Sequence, residues 1–138
     1  MDSSRAGLLA NFDQIRKRYS RDICPGVEKT SRLPDDVVRE HFSNPYSGII
    51  ALAHDPRVDD MALMEALKTD AFYVGAMGSE RTSAARRERL PELGLSQENI
   101  ELLHAPIGFQ IESKTPAEIA ISIMAEVTAE KHRARRPA

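Results

Sequence analysis

The sequence predicts an α/β fold, a parallel sheet covered by helices on both faces. Two apolar runs, Gly48-Ile49-Ile50-Ala51-Leu52-Ala53 and Ala71-Phe72-Tyr73-Val74-Gly75-Ala76, are short and continuous, as strands buried on both faces read. Segments with helical spacing flank and separate them, and strands alternating with helices imply right-handed crossovers and parallel pairing. The second run also meets Gly78 and Ser79 and then a polar, basic segment, the pattern of a strand turning sharply into a helix. In such sheets ligands sit at the carboxyl ends of the strands.

The bulk numbers agree with one soluble domain. A chain of 138 residues, 41% hydrophobic and 29% charged, can bury a core and is not of disordered composition. A net charge of -2 supplies no basic field for nucleic acid, and the absence of Trp removes the best stacking platform for single strands. Cys24 is the only cysteine, which excludes an internal disulfide and a cysteine-cluster zinc site. With no long apolar run and no signal-peptide core near Met1, no membrane association is expected and a cytoplasmic location is.

In chain order, Ser3 to Tyr19 reads as an amphipathic helix, with Leu8, Leu9, Phe12, Ile15 and Tyr19 at helical spacing. Cys24-Pro25-Gly26 breaks it, and Val27 to Ser31 is expected to be a short edge strand. Pro34-Asp35-Asp36 opens the next helix, whose buried side is Val37, Val38 and Phe42. The first strong strand ends at His54-Asp55-Pro56, and Asp59-Asp60 leads into a helix bearing Met61, Leu63, Met64 and Leu67. After the second strand and Ser79 comes a helix closed near Pro91 and Gly94. Its Arg86, Arg87 and Arg89, near Glu88 and Glu92, read as a solvated face. Ser96 caps a short helix through Leu103, and His104 to Gly108 is a loop or short strand. Thr115-Pro116-Ala117-Glu118 is a capping-box sequence opening the last helix, with Ile119, Ile123, Met124 and Val127 as its apolar stripe. Residues 1–26 thus form a helix and linker, 27–130 the α/β domain and 131–138 a basic tail.

Candidate chemistry gathers on one rim. His54 and Asp55 follow the first strand; Gly75, Gly78 and Ser79 follow the second. Asp55 either contributes to a site or starts a turn before Pro56. Arg81 and Thr82 fall in the first turn of the next helix, where backbone N–H groups and the dipole suit an anion. His104 and Lys114 lie in loops that reach the same cleft. The alternative for the glycines is a plain tight turn with Ser79 as cap. There is no nucleophile signature, no P-loop and no Gly-x-Gly-x-x-Gly, so no catalytic and no metal-binding residue is assigned.

Several motifs in order carry a resemblance: Ile50 to Pro56, Phe72 to Ser79, Arg86-Arg87-Glu88-Arg89-Leu90, His104-Ala105-Pro106-Ile107-Gly108 and Lys114 to Ala120. From about Val27 to Val127 the chain resembles the carboxyl-terminal Rossmann-like domain of the XdhC/CoxI family, accessory proteins of xanthine dehydrogenase and related molybdenum hydroxylases. The resemblance implies a chaperone-like maturation factor that binds molybdenum cofactor (molybdopterin), assists its sulfuration and delivers it to the apo-enzyme, with a cysteine desulfurase as a further partner. On that basis His54, Asp55, Gly75, Gly78, Ser79, Arg81, Thr82 and Lys114 are the expected cofactor-binding residues.

Family members precede this region with a glycine-rich first strand–turn–helix, a second strand and a separate domain. Here the amino-terminal helix and an irregular segment stand in that place. In the strand order 3-2-1-4-5-6 the first strand is central, so an incomplete Rossmann-like sheet is expected, with strands resembling the third to fifth. Its open edge calls for a homo-oligomer, another partner, or cover from the amino-terminal helix. The rival readings are an NAD(P)-binding oxidoreductase-like domain and a non-binding fragment that acts through oligomerisation.

Overall fold

In a computed structural model, residues 26–53 and 55–135 are described. The amino-terminal amphipathic segment, Cys24, His54 and the end of the basic tail lie outside them. The elements run α1 (Pro34–His41), β1 (Gly48–Ala51), α2 (Pro56–Ala66), β2 (Tyr73–Ala76), α3 (Glu80–Glu92), α4 (Gln97–Glu101), β3 (Leu103–His104) and α5 (Pro116–Ala134). The three strands form one parallel sheet in the order β1-β2-β3, with Gly48 opposite Tyr73 and Gly75 opposite His104. Sequential neighbours match the last three strands of the Rossmann order rather than the third to fifth.

Alternation along the strands divides the core. Ile49 and Ala51 of β1, Val74 and Ala76 of β2 and Leu103 of β3 face one layer of helices. There they meet Val38 of α1, Leu63 and Ala66 of α2, Leu90 of α3 and Ile100 of α4. Leu63 and Leu90 are fully buried, each contributing about 1.5–3 kcal/mol of transfer free energy. On the opposite face Tyr73, Gly75 and His104 pack beneath α5 and the loop that precedes it.

Five expectations need correction. Val27 to Ser31 forms no strand; residues 27–30 are all exposed, and no neighbouring strand satisfies their backbone. β1 is buried on one face only, because α5 covers β2 but leaves Ile50 bare at 36% exposure. Phe42 is likewise exposed at the end of α1, whose only buried residue is Val38. On α5, Met124 faces outward while Ser122 and Glu126 are buried; the inward face is polar because it hydrogen-bonds the β2 side of the sheet and the loop at Gly108. The arginines of α3 are not a solvated face: Arg86 is 2% exposed, drawn in by acids on α2.

Helix starts follow the sequence closely. Thr115 accepts from the N–H of Glu118, whose carboxylate accepts from the N–H groups of Lys114 and Thr115. Those bonds hold the Glu118 carboxyl below the usual glutamate range. Ser79 and Ser96 cap α3 and α4 through the serine oxygen alone, which accepts from the N–H groups of Thr82 and Asn99.

Candidate functional site

The carboxyl rim of the sheet carries a cleft of about 260 Å³ between the β2–α3 turn and the loop entering α5, lined by Met77, Gly78, Ile107, Phe109, Ile111 and Ser122, among others. Gly78 turns the chain with φ 156°, and a Cβ there would lie 3.2 Å from Thr82 Cγ2, so the turn presses against the first turn of α3. Ser79 Oγ accepts from the Thr82 N–H at 3.1 Å and donates to Thr82 Oγ1 at 2.9 Å. This cap fixes the helix start and leaves the N–H groups of Glu80 and Arg81 at its tip, where the dipole favours an anion. Arg81 is exposed and makes no ion pair among the described residues. Below the turn Ser83 is 2% exposed. Its Oγ has no hydrogen-bond partner among the described residues and lies 3.8 Å from the Cβ position of Gly78. Lys114 stands exposed at the start of α5, its side chain without an ion pair among the described residues.

Other expected site residues do different work. Gly75 is inside β2, not in the turn. A Cβ there would come within 2.8 Å of the Tyr73 ring and 2.7 Å of Ile107, so the glycine lets the rim loop close on the sheet. Asp55 caps α2, accepting from the Arg57 N–H at 3.0 Å and pairing with its guanidinium at 2.9 Å. His104 lies in β3, away from the cleft lining, stacked on Tyr73 with centroids 4.7 Å apart.

The Arg57 side-chain bond, reinforced by the Arg57 N–H, holds the Asp55 carboxyl below its ordinary value of 3.8. A folded value below the unfolded one contributes stability above the unfolded pKa and loses it as pH falls through the folded value. Asp55→Asn keeps a capping oxygen but not the charge. Urea melts followed below about pH 4 are expected to show a shallower loss of stability in this variant than in the parent.

Two buried networks frame the rim. Arg86 donates to the Met77 carbonyl at 3.4 Å and faces Asp59 at 3.7 Å and Asp60 at 3.4 Å. The last is close enough for charge attraction, although Arg86 Nε lacks hydrogen-bond alignment. Asp59 in turn accepts from the Ala53 N–H, so one ion cluster ties the end of β1 to the turn after β2. Arg89 adds a two-bond contact to Asp60, and Arg87 donates to the carbonyls of Ile100, Leu103 and Ala105. In the second network Glu126 Oε1 accepts from the Tyr73 hydroxyl at 2.6 Å and the Gly108 N–H at 3.1 Å, with His104 Nδ1 at 3.5 Å. Burial, and then the Glu126 carboxylate, push the Tyr73 phenol well above its usual range and keep it protonated. The signal for Arg86 was present in the sequence: Ser83, Arg86 and Leu90 share one helical face, and Leu90 is a core residue. Nothing local marks Glu126, whose partners lie 53 and 18 residues away.

Among the described residues no three His, Cys, Asp or Glu side chains converge as a metal site requires, and no helix is long and apolar enough to cross a membrane.

Comparison with known proteins places this architecture. The molybdenum cofactor insertion chaperone PaoD of Escherichia coli is 36% identical over 81 residues, 59% of this chain and 26% of that protein. The uncharacterized protein YqeB of the same organism is 37% identical over 76 residues, 55% of this chain and 14% of its own length. A crystal structure described as a xanthine dehydrogenase from Bacillus halodurans superposes with a TM-score of 0.59 at 28% identity, covering 78% of this chain and 30% of that one. The chain therefore spans less than a third of each of these relatives. The family described as the XdhC Rossmann domain matches residues 8–127. That span includes all three strands and the whole rim, and the chain belongs to the XdhC Rossmann-domain family.

Proposed function

We propose that this domain acts in the maturation of molybdenum hydroxylases of the xanthine dehydrogenase type, binding molybdenum cofactor at the rim cleft and assisting its sulfuration or insertion. Family membership and the similarity to an insertion chaperone support the role. The observation that carries the location is Arg81, exposed and without an ion pair among the described residues at the tip of a capped helix, above the unpartnered Ser83 hydroxyl. The residues suit a phosphorylated pterin. The N–H groups at the start of α3, Arg81 and Lys114 meet the phosphate, while Met77, Ile107, Phe109 and Ile111 offer apolar walls to the ring system. Ser79 and Thr82 hold the helix start, Gly78 allows the turn and Gly75 lets the loop close over it. His54, adjacent in sequence to Asp55, is assigned to the same ligand, and Asp55 fixes the start of α2.

The cofactor supplies a redox-active molybdenum to the enzyme that receives it; the domain binds and orients it without catalysing a reaction. The apo-hydroxylase is the receiving partner, a cysteine desulfurase the sulfur donor, and the cytoplasm the place. Titration of the protein with molybdopterin, followed by the change in cofactor absorbance, is expected to saturate. Arg81→Ala weakens that binding at least fivefold. Absence of saturable binding to folded protein contradicts the proposal.

A further inference from the structure

α5 carries its polarity the wrong way round for a helix lying on a sheet. Its buried residues are Ser122, Ile123 and Glu126, two of them polar, while Ile121 is 63% and Met124 54% exposed. A helix in that place ordinarily turns its apolar stripe inward and its polar residues to water. Ala117, Ile121, Met124 and Thr128 are all exposed and follow one another at spacings of four, three and four. That is the repeat of a helix that packs along another helix. No acid or base stands among them. Thr128 Oγ1 donates to the Met124 carbonyl at 2.7 Å, so its hydroxyl is satisfied within its own helix. Ala120 and Ala125, also exposed, flank the seam and let a neighbour come close.

We infer that this seam is the contact with a second copy of the chain, the two α5 helices packed antiparallel about a two-fold axis at Met124. The charges at the ends of the helix select this occupant. Glu118 stands in the first turn, and Lys131, His132 and Arg133 in the last. Antiparallel pairing sets the acidic start of one helix beside the basic end of the other and opposes the two helix dipoles favourably. Glu118 and Lys131 lie six and seven positions either side of Met124, so both contacts form at once by symmetry, as an isologous interface requires. A parallel pair would instead bring the two basic ends together. On the axis Met124 meets its own copy, a contact that a flexible, uncharged side chain makes readily. A seam of about three turns is shorter than a standard interface, so the dimer exchanges with monomer.

Sedimentation velocity of the full chain over a dilution series is expected to show reversible exchange between monomer and dimer. Met124→Glu and Met124→Lys each raise the dissociation constant at least tenfold, because each sets like charges on the axis. Mixing the two variants in equal amounts restores the dimer, which a merely unfolded variant could not do. A second measurement does not depend on these charges. With Cys24→Ser, which removes the native thiol, Met124→Cys forms a disulfide-linked dimer on mild oxidation, and Ala117→Cys, at the far end of the seam, does not. A chain that stays monomeric throughout the series overturns the inference. A dimer indifferent to both charges sits on another surface and overturns it too. So does cross-linking of Ala117→Cys as fast as that of Met124→Cys, which shows a parallel pair, and so does a mixture that fails to recover.

Discussion

Replacing Arg86 by Met is expected to lower the unfolding free energy by about 3–5 kcal/mol, the usual cost of removing one partner from a buried ion pair. The guanidinium is 2% exposed and faces Asp59, also 2% exposed, and Asp60. Taking it away leaves these carboxylates in a site built around a cation, although Arg89 still holds Asp60 and the Ala53 N–H still donates to Asp59. The Met77 carbonyl loses its donor in the same step. A second substitution gives the cause. Adding Asp59→Leu to Arg86→Met should recover part of the loss, because it removes one carboxylate that faced the cation, offset by the Ala53 N–H that loses its acceptor. Urea-induced unfolding of the two variants and their parent measures this directly. Equal loss in the single and double variants would point to packing volume instead of charge.

The Glu126→Ala change is expected to cost about 1–3 kcal/mol for each donor it orphans, and it orphans two. The Tyr73 hydroxyl and the Gly108 N–H both end on Glu126 Oε1, and Tyr73 is only 1% exposed. Water has little access to replace the carboxylate there. Because Gly108 belongs to the loop that walls the rim cleft, the effect extends from stability to the site. Gly108 packs so closely on α5 that a Cβ would approach Ser122 Oγ to 2.6 Å, and the Glu126 bond is what pins it. In a Tyr73→Phe background the same Glu126→Ala change should cost less, since one of the two donors is already absent. Thermal melts of the four proteins give the coupling.

These networks also mark how far the sequence could be read. The strong strands, the capped helix starts and the turn at Gly78-Ser79 are local: each is written in a few adjacent residues whose propensities agree with the fold. The capping box at Thr115 and Glu118 appears bond for bond. Misreadings occurred where the outcome depends on distant partners. The shared face with Ser83 and Leu90 turns Arg86 inward, but what makes a buried arginine tolerable, Asp59 and Asp60, lies 27 and 26 positions earlier on a neighbouring helix. Glu126 breaks the apolar stripe of α5, and Met124 resembles a core residue, because the helix's orientation is set by Tyr73 and Gly108 and not by its own hydrophobicity. Gly75 looked like part of the turn since its neighbours in sequence make one; its Cβ is excluded by Tyr73 and Ile107 instead. β1 looked doubly buried because composition reports the strand and not the presence of a cover on each side.

For the rim, the same distinction holds between position and use. Ser79, Thr82 and Gly78 are where the sequence placed them, and their contacts explain the helix start fully. Arg81, Lys114 and the Ser83 hydroxyl have no such internal explanation among the described residues. It is this remainder, on a domain of the XdhC family, that points the reading toward an anionic ligand.

Amide hydrogen exchange of the full chain with and without molybdopterin tests the location of the site most directly. Binding at the cleft predicts slower exchange in residues 77–83 and in residues 107–114, with little change in β1 or in the carboxyl-terminal half of α5. Protection confined to other segments, or no change at saturating cofactor, would contradict the assignment of the Gly78–Arg81 turn as the ligand-holding element.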